Sequence, residues 1–265
     1  LANLTIPRQE NETEQFLALD ERLMEAPSVA IGRCRDITVD MANTARASML
    51  RAMSLLRTYD SEIARQVEEG EQALDRYEDE IGSYLVKLSS RNLSDNDSRE
   101  VSELLHSIGD FERIGDHATN LLETAQEMNE KHLTFSGEAW EELSHMLRAV
   151  QSVLELGVAA FEARDLQAAA GVEPLEDVVD DLKNLLRSHH IDRLKNNICT
   201  IEQGFLYSDV LTNCERVADH CSNIAVCLLT SEQESFDPHS YFSETRKQME
   251  TYQELYRNYQ VQFGL

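Results

Sequence analysis

The sequence predicts an all-α protein made of two tandem three-helix bundles and an additional C-terminal helix. The first observation is composition, because only 10 Gly and 4 Pro occur in 265 residues, whereas Ala, Leu, Glu and Arg are plentiful, which favours long helices over many-turned β structure. The second is an internal repeat, in which segment 112–120 returns as segment 215–223. The third is apolar spacing by three and four residues, which indicates helices with one buried face.

The repeat is a nine-residue signature of the form E-R-x-x-D-H-x-x-N. Its first copy runs from Glu112 to Asn120, and its second copy runs from Glu215 to Asn223. Apolar sequence follows both copies. The two copies indicate a tandem duplication, so we expect residues 18–135 to form the first bundle.

The remaining boundaries follow from local composition. Residues 1–17 form a linker, residues 136–230 form the second bundle, and residues 231–265 form an aromatic-rich helical tail. The chain opens on Leu1 rather than Met, and we expect it to be a domain excised from a longer protein.

The first two helices have recognisable start signals. Pro27-Ser28 is typical of a helix start with Ser28 as the capping residue, and the apolar stripe that follows continues to about Thr58. Asp60 can cap the second helix, which we expect over residues 60–90.

A loop over residues 92–98 precedes the third predicted helix. Asp97 begins an Asp-Ser-Arg-Glu run that has the form of a capping box. This run would open a helix over residues 98–130, and that helix carries the first signature.

The second half restarts the pattern after a break at Ser136. A fourth helix is expected from about residue 138, and a fifth passes through segment 172–182, where Pro174 should kink or restart it. The sixth helix, over residues 200–230, carries the second signature.

The tail is predicted as a helix that Asp237 and Pro238 begin. Its aromatic stripe should pack on the bundle or on a second subunit. The stripe consists of Phe242, Met249, Tyr252, Tyr256, Tyr259 and Phe263.

Charge and cysteine content exclude several classes of function. The chain has 49 acidic and 24 basic residues and a formal charge of -25, which argues against binding nucleic acid or an anionic lipid surface and favours metal cations or basic proteins. Five cysteines without a C-x-x-C pair signal neither a disulfide framework nor a zinc knuckle.

The sequence contains no signal peptide and no apolar run close to the roughly 20 residues that a membrane span needs. We therefore expect a soluble, cytoplasmic domain.

The signature places three oxygen-bearing side chains in a row. Glu112, Asp116 and Asn120 lie within about 80° of one another over roughly 12 Å of one helix face, on the shoulder of the apolar stripe. An acidic pair on the preceding helix repeats with an offset of 101 positions. The paired positions are Asp75 with Asp79 in the first half and Glu176 with Asp180 in the second.

Convergence of these groups would create two carboxylate sites. Carboxylates held close together at low dielectric take up protons or bind cations. Ligation by oxygen alone suits magnesium, calcium, manganese or iron better than it suits zinc, which is often bound by sulfur. The alternative is that these acids lie on solvent-exposed helix faces and form salt bridges with Arg113 and Arg216.

The histidines and cysteines of the signatures have other expected roles. His117 and His220 turn about 100° beyond the preceding Asp, which favours an interface, supporting or exposed role over metal ligation. Cys214 and Cys221 fall in the apolar stripe, where cysteine is usually a small buried hydrophobe.

A di-metal carboxylate enzyme is a second hypothesis. Such bundles use Glu-x-x-His motifs, and the chain contains Glu103 with His106 and Glu142 with His145. These two matches lie on non-equivalent helices of the repeat, and chance accounts for them in so Glu-rich a sequence. A third hypothesis is a structural helical module that forms a homodimer through its aromatic tail.

The two signatures, the acidic pairs and the duplicated layout resemble the PhoU-like phosphate-uptake regulators, over about residues 18–230. The runs 190–194 and 199–202, and the entry at 19–23, are most similar to the cytoplasmic PhoU-like domain of bacterial sodium/phosphate cotransporters.

The resemblance implies two three-helix bundles, a regulatory role without catalysis, and bound iron, magnesium, manganese or zinc. It also implies two metal sites. Their ligands would be Asp75, Asp79, Glu112, Asp116 and Asn120 in one site and Glu176, Asp180, Glu215, Asp219 and Asn223 in the other. The second half departs from a strict repeat in two ways: it has Pro174 close to its acidic pair, and it has Val226 where the first half has Glu123. These departures predict that one site is weaker or empty.

We therefore expect a metal-binding regulatory domain of a sodium-dependent phosphate cotransporter. Its main partner would be the membrane portion of that transporter, within the same polypeptide, at the inner face of the plasma membrane. Phosphate is a candidate bridging ligand, and nucleic acid is not expected as a partner.

Overall fold

The computed structural model describes residues 19–231 and 238–265, with side chains throughout except over residues 238–249. The described chain is helical, and the all-α prediction is confirmed. Eight α-helices follow a 3-10 helix at Glu21–Glu25. They are α1 (Pro27–Leu55), α2 (Ser61–Ser89), α3 (Asp95–Glu130), α4 (Gly137–Ala163), α5 (Leu166–Ala169), α6 (Val172–Lys195), α7 (Ile201–Ser231) and α8 (Pro238–Phe263). None of these described helices has the length and hydropathy that crossing a membrane requires.

The long helices pack as two groups of three around one core. Helices α1, α2 and α3 contact one another, as do α4, α6 and α7, and the two groups meet where α3 lies along α7 and α1 lies against α4. Buried apolar side chains of both groups form one continuous cluster. Phe111 and Phe161 join the groups in an edge-to-face contact with ring centroids 5.2 Å apart. The two signature helices therefore lie side by side at the centre of the molecule.

The start of α1 differs from the prediction in its cap. Pro27 occupies the first turn, but no side chain caps this helix, and Ala26 precedes it. The Ser28 hydroxyl instead donates a hydrogen bond to Asp97 Oδ1 at 3.1 Å. Ser28 was the wrong cap because it already lies inside the first turn, beyond reach of the amides that a cap must satisfy.

The start of α3 also lies earlier than predicted. Asp60 caps α2 as expected, but the capping box of α3 is formed by Ser94 and Asp97. The Asp97 amide donates to the Ser94 hydroxyl at 3.1 Å, and the Asp97 carboxylate accepts from the Ser94 amide at 3.4 Å. Asp97 therefore closes the box rather than opening it, and the predicted loop over 92–98 ends at Ser94.

The second half begins at the predicted break. The Ser136 hydroxyl caps α4 by accepting from the Ala139 amide at 3.2 Å. Asp165 caps the single-turn helix α5, which the sequence pattern did not reveal. Pro174 lies in the first turn of α6, where its missing N–H removes no helical hydrogen bond, so the helix restarts there and is not kinked.

The tail helix α8 packs on α6 and α4 of its own chain. The hydroxyl of Tyr252 donates to Asp177, and that of Tyr256 donates to Asp181. Phe263 is 3% exposed and belongs to the core. The aromatic stripe therefore packs on the bundle, as predicted for these residues. The linker 1–17, the Asp237 cap and the side chains of Phe242 and Met249 lie outside the described part of the chain.

Candidate metal centres

The signature helices bring carboxylates to the edge of the core. On α3, Ile114 is fully buried, and Glu112 and Asp116 are half-buried beside it. Glu215 and Asp219 take the same half-buried positions on α7. A carboxylate at such a position loses hydration, which raises its pKa unless a cation compensates.

Carboxylates of α2 and α3 meet in the first half. Burial raises the pKa of Glu112 to about 7, and the negative charges of Asp116, Glu78 and Asp75 add to this effect. Burial also raises the pKa of Glu71, with further contributions from Asp75 and Asp116. We call these five residues the first carboxylate cluster.

Glycines allow α2 to approach α3 closely enough to form this cluster. A Cβ atom on Gly115 would lie 2.4 Å from Leu74 Cδ1, and a Cβ atom on Gly109 would lie 3.9 Å from Glu78 Oε1. The absence of side chains at these positions lets the acidic edge of α2 lie against the signature.

The first cluster differs in part from the predicted site. Asp75 and Asp116 act on the pKa of Glu112 and of Glu71, whereas Asp79 contributes to neither. Both Asp75 and Asp79 are exposed. Asp79 lies about 80° around α2 from Glu71, away from the buried stripe. The sequence reasoning missed Glu71 and Glu78. Glu71 has the same four-residue spacing to Asp75 that Glu112 has to Asp116, and this spacing could have revealed it.

The second cluster consists of Glu176, Asp180, Glu215 and Asp219. Burial raises the pKa of Glu176 to about 8, helped by the charges of Asp177 and Asp219 among others. Burial raises the pKa of Asp219 as well, and Glu215 and Asp180 contribute, while a hydrogen bond with Glu176 lowers it. The four carboxylates that were predicted for this site therefore lie close enough to affect one another electrostatically.

Basic residues neutralise part of the second cluster. Lys183 Nζ lies 2.7 Å from Glu215 Oε1, and Arg216 Nη1 lies 3.4 Å from Asp219 Oδ2. The repeat offset places Gly82 where the second half has Lys183. Glu215 Oε2 is nevertheless buried without a hydrogen bond, with Arg216 Nε at 3.9 Å. A metal ion in the second cluster would compete with Lys183, which the first cluster lacks.

The asparagines of the signatures turn toward the interface between the two halves. His117 Nδ1 and Asn120 Nδ2 lie 2.8 Å and 3.1 Å from Asn213 Oδ1 on α7. Asn120 lies between Asp116 and His117 around α3, about 40° from the first and about 60° from the second, and its hydrogen bond is with Asn213. The structure thus places Asn120 at the interface rather than among the carboxylates of its predicted site.

The second signature makes the reciprocal contact. His220 Nδ1 and Asn223 Nδ2 lie 2.9 Å and 3.2 Å from Asp110 Oδ1 on α3. The rings of His117 and His220 stack with centroids 5.5 Å apart, so of the three roles expected for the histidines the structure shows the interface role. Asn223, like Asn120, lies at this interface rather than in its predicted metal site.

The interface partners extend the repeat. Asp110 and Asn213 are 103 positions apart and each precedes its signature by two residues. The sequence reasoning missed both residues, although the same offset relates them. The E and D positions of the signature thus face the carboxylate clusters, and its H and N positions join the halves.

The donor atoms of both clusters fit a hard cation, although they are not arranged around one. Across residues 19–231 and 238–265, no three His, Cys, Asp or Glu side chains converge as ligands for a single ion. The acids present oxygen only, and Glu112 and Glu176 retain protons near neutral pH because burial and repulsion disfavour their charge. A cation would replace that proton and relieve the repulsion.

A cavity of about 600 Å³ opens between the first cluster and the interface. Its lining includes Glu78 and Glu112 from the cluster and Asp110, His220 and Asn223 from the interface. The cavity connects Glu112 with solvent, so an ion or a small anion has a route to the first cluster.

The Glu-x-x-His motifs of the enzyme hypothesis carry out other roles. Glu103 is 1% exposed and pairs with Arg35 at 2.9 Å. Glu142 pairs with Arg193 at 2.6 Å and with His189 at 2.8 Å. Both glutamates are engaged by arginine, which leaves them poorly suited as bridging ligands of a di-metal centre.

Comparison with known proteins supports the duplicated helical layout. The PhoU domain model matches the chain twice, over residues 38–125 and 143–228. A Thermotoga maritima protein, named phosphate-specific transport system accessory protein PhoU homolog 1, is 26% identical over 178 residues, which cover 67% of this chain and 76% of the relative.

Solved structures share the fold. The phosphate transport system regulatory protein PhoU from Streptococcus pneumoniae matches with a TM-score of 0.70 and 21% identity, covering 80% of this chain and 99% of its own. PhoU from Pseudomonas aeruginosa matches with a TM-score of 0.63 and 22% identity, covering 84% and 95%. The two matches of the domain model together cover more than half of the residues, and each match includes one signature. The chain therefore belongs to the PhoU domain family.

Proposed function

We propose that this chain regulates phosphate transport through contact with a phosphate transport protein, and that it does so without catalysis. The observation that carries the proposal is the pair of PhoU domain matches, each of which contains one signature and its carboxylate cluster. Relatives are named accessory proteins of phosphate-specific transport systems. The glutamates of the two Glu-x-x-His motifs are paired with arginine side chains.

The finer part of the proposal concerns metal ions. Glu71, Asp75, Glu112 and Asp116 would hold a cation in the first cluster. The second cluster would hold one more weakly, because Lys183 already pairs with Glu215. The oxygen donors favour magnesium, manganese, calcium or iron over zinc, and phosphate could bridge the ion in the adjoining cavity.

The proposed transporter is a sodium-dependent phosphate cotransporter whose cytoplasmic side carries this chain. The runs 190–194 and 199–202, which resemble the domain of such cotransporters, motivate this choice. The formal charge of -25 supports it, because cytoplasmic loops of membrane proteins carry an excess of Lys and Arg.

The metal sites are tested by thermal unfolding with and without added manganese at pH 7.5. We expect manganese to raise Tm of the chelator-treated protein, by a stabilisation of about 2.7 kcal/mol at a concentration of about 100 times Kd. The double variant Asp116→Ala with Asp219→Ala should lose this increase. An equal increase in the variant would refute the site assignment.

The regulatory role is tested by phosphate uptake in cells that lack the gene. We expect uptake that no longer declines when external phosphate is high, and restoration of this decline by the wild-type chain. Unchanged uptake in the deletion strain would argue against the role. Turnover of a phosphoester or consumption of oxygen by the metal-loaded protein would favour an enzyme instead.

A further inference from the structure

Three apolar side chains project from the end of the second group of helices. Ile198 lies in the loop between α6 and α7, and Ile201 and Phe205 lie four residues apart on the first turns of α7. Their exposed fractions are 55%, 73% and 68%. Residues four apart on a helix share a face, so Ile201 and Phe205 form one patch. We call these two residues, with Ile198 three positions before them, the apolar tip.

The fold itself does not require these apolar residues. The repeat offset of 103 positions relates them to Asp95, Ser98 and Ser102 in the first half. Those three counterparts are also exposed, but they are polar. Equivalent positions of the repeat therefore have opposite chemistry in the two halves, and among them the apolar side chains belong to the second half alone.

The tip is held in place by buried contacts. A Cβ atom on Gly204 would lie 2.8 Å from His190 Nε2, so α6 and α7 meet closely just behind the tip. Arg193, which is 4% exposed, lies 5.3 Å from the centre of the Tyr207 ring and pairs with Glu142 on α4 at 2.6 Å. The tip residues therefore project from a closely packed junction of α4, α6 and α7.

The charges around the tip are paired within the chain. Lys131 lies 2.6 Å from Glu202 and 2.7 Å from Glu127, and Lys195 lies 3.0 Å from Asp192. These two lysines and three acids sum to a formal charge of -1, whereas the whole chain carries a formal charge of -25. An apolar contact at the tip would bury little unpaired charge, and long-range attraction would come from the acidic remainder of the molecule.

This combination selects one kind of partner. An anionic bilayer would repel the chain, and two copies would repel each other. Three side chains also supply much less than the roughly 800 Å² per partner of a standard protein interface, so the remaining contact must come from a partner of opposite charge. Cytoplasmic loops of membrane proteins are rich in Lys and Arg.

We propose that the apolar tip inserts into an apolar cleft between Lys- and Arg-bearing cytoplasmic loops of a membrane transport protein. This inference rests on the proposed function, and it assigns to that function the surface that makes the contact. Basic loops of the partner meet the acidic sides of the helices, and Ile201 and Phe205 fill the cleft.

The experiment measures binding to vesicles of phosphatidylethanolamine and phosphatidylglycerol that contain the purified phosphate transporter of the same organism. The test variant is Ile201→Ser with Phe205→Ser, which gives the tip the polar chemistry found at its counterparts in the first half. We expect at least tenfold weaker binding by this variant. The control variant is Val86→Ser, an exposed apolar residue on α2, which should bind as the wild type does. Because all three residues are exposed, each variant should keep the wild-type Tm.

Each other outcome has a distinct meaning. Equal binding by the wild type and the tip variant overturns the tip proposal and leaves the proposed function standing. Failure of the wild type to bind transporter vesicles overturns the contact mechanism itself. Tip-dependent binding to vesicles without transporter would show that lipid is the occupant, and a tip-dependent dimer in sedimentation equilibrium would show that a second copy is. Either of these results overturns the proposal.

Discussion

At the scale of single residues, Glu112 and Glu176 carry the most informative electrostatics. Each glutamate lies beside the core on or opposite a signature helix, and burial is the largest cause of its raised pKa. Neighbouring carboxylates add to the effect. The two glutamates therefore mark the positions where a proton or a cation would offset the cost of burying a charge.

Replacement of Glu176 by Gln should change the pH dependence of stability. The pKa of Glu176 is about 8 in the folded chain, against a reference value of 4.5. The folded state thus binds this proton more tightly, so the stabilisation is fully present below pH 4.5 and is lost as the pH rises through 8. We expect Glu176→Gln to be more stable than the wild type at pH 8.5 by about 1–2 kcal/mol.

Urea unfolding at pH 4.5 and 8.5, with a chelator present, checks this prediction. At pH 4.5 the variant and the wild type should have similar free energies of unfolding, because Glu176 is protonated in the folded wild type. Glu68→Gln, at an exposed position on α2, is the matched control and should follow the wild type at both pH values. A Glu176→Gln profile that coincides with that of the wild type would contradict the assigned burial effect.

At the scale of helices, glycines decide how closely neighbouring elements approach. A Cβ atom on Gly70 of α2 would lie 2.1 Å from Ser48 Oγ and 3.3 Å from Ser48 Cβ on α1. On the other side of α2, Gly115 makes the corresponding close approach to Leu74. The position of α2 between α1 and α3, and with it the position of Glu71 and Asp75, depends on these two contacts.

We predict that Gly70→Ala destabilises the protein and that Gly32→Ala does not. The first change forces Ser48 or the helices to move, at a cost of about 1–3 kcal/mol. Gly32 is exposed on α1, and a Cβ atom there would have no neighbouring atom within 4 Å, so alanine should be neutral or should stabilise by up to about 1 kcal/mol. Urea denaturation of both variants measures the difference, and equal stability of the two would contradict the prediction.

At the scale of the whole molecule, a buried ionic network ties the two halves together. Glu103 on α3 lies 2.9 Å from Arg35 on α1 and 3.6 Å from Arg164, which follows α4. The hydroxyl of Ser231, at the end of α7, donates to Glu103 Oε2 at 2.6 Å. Glu100 pairs with the same two arginines from a more exposed position. Four helices therefore meet at one buried carboxylate.

Truncation of this carboxylate should destabilise the whole chain. We expect Glu103→Ala to lower the free energy of unfolding by about 2–4 kcal/mol, because it removes the buried carboxylate that accepts from Arg35 Nη2. Glu100→Ala removes a carboxylate that is 31% exposed and should cost no more than about 1 kcal/mol. Chemical denaturation of the two variants provides the comparison. Similar losses would show that burial does not distinguish the two glutamates.

Much of the architecture was predictable because it depends on local patterns. Apolar spacing located the six long helices, and Asp60 and Ser136 marked two starts correctly. The caps at Ser28 and Asp97 were misplaced because several neighbouring residues have suitable side chains, and only the backbone path decides which oxygen faces the free amides.

The sequence by itself determined the all-α class, the duplication and the acidic character of both clusters, since periodicity and repetition are properties of the chain alone. Only the tertiary structure decided that Glu71 and Glu78 join the first cluster, that Lys183 enters the second, and that Asn120 and Asn223 turn to the interface. These outcomes depend on the rotation of each helix and on its distance from the next. Side chains of similar sequence spacing acquire different partners when a neighbouring helix approaches one face more closely than another.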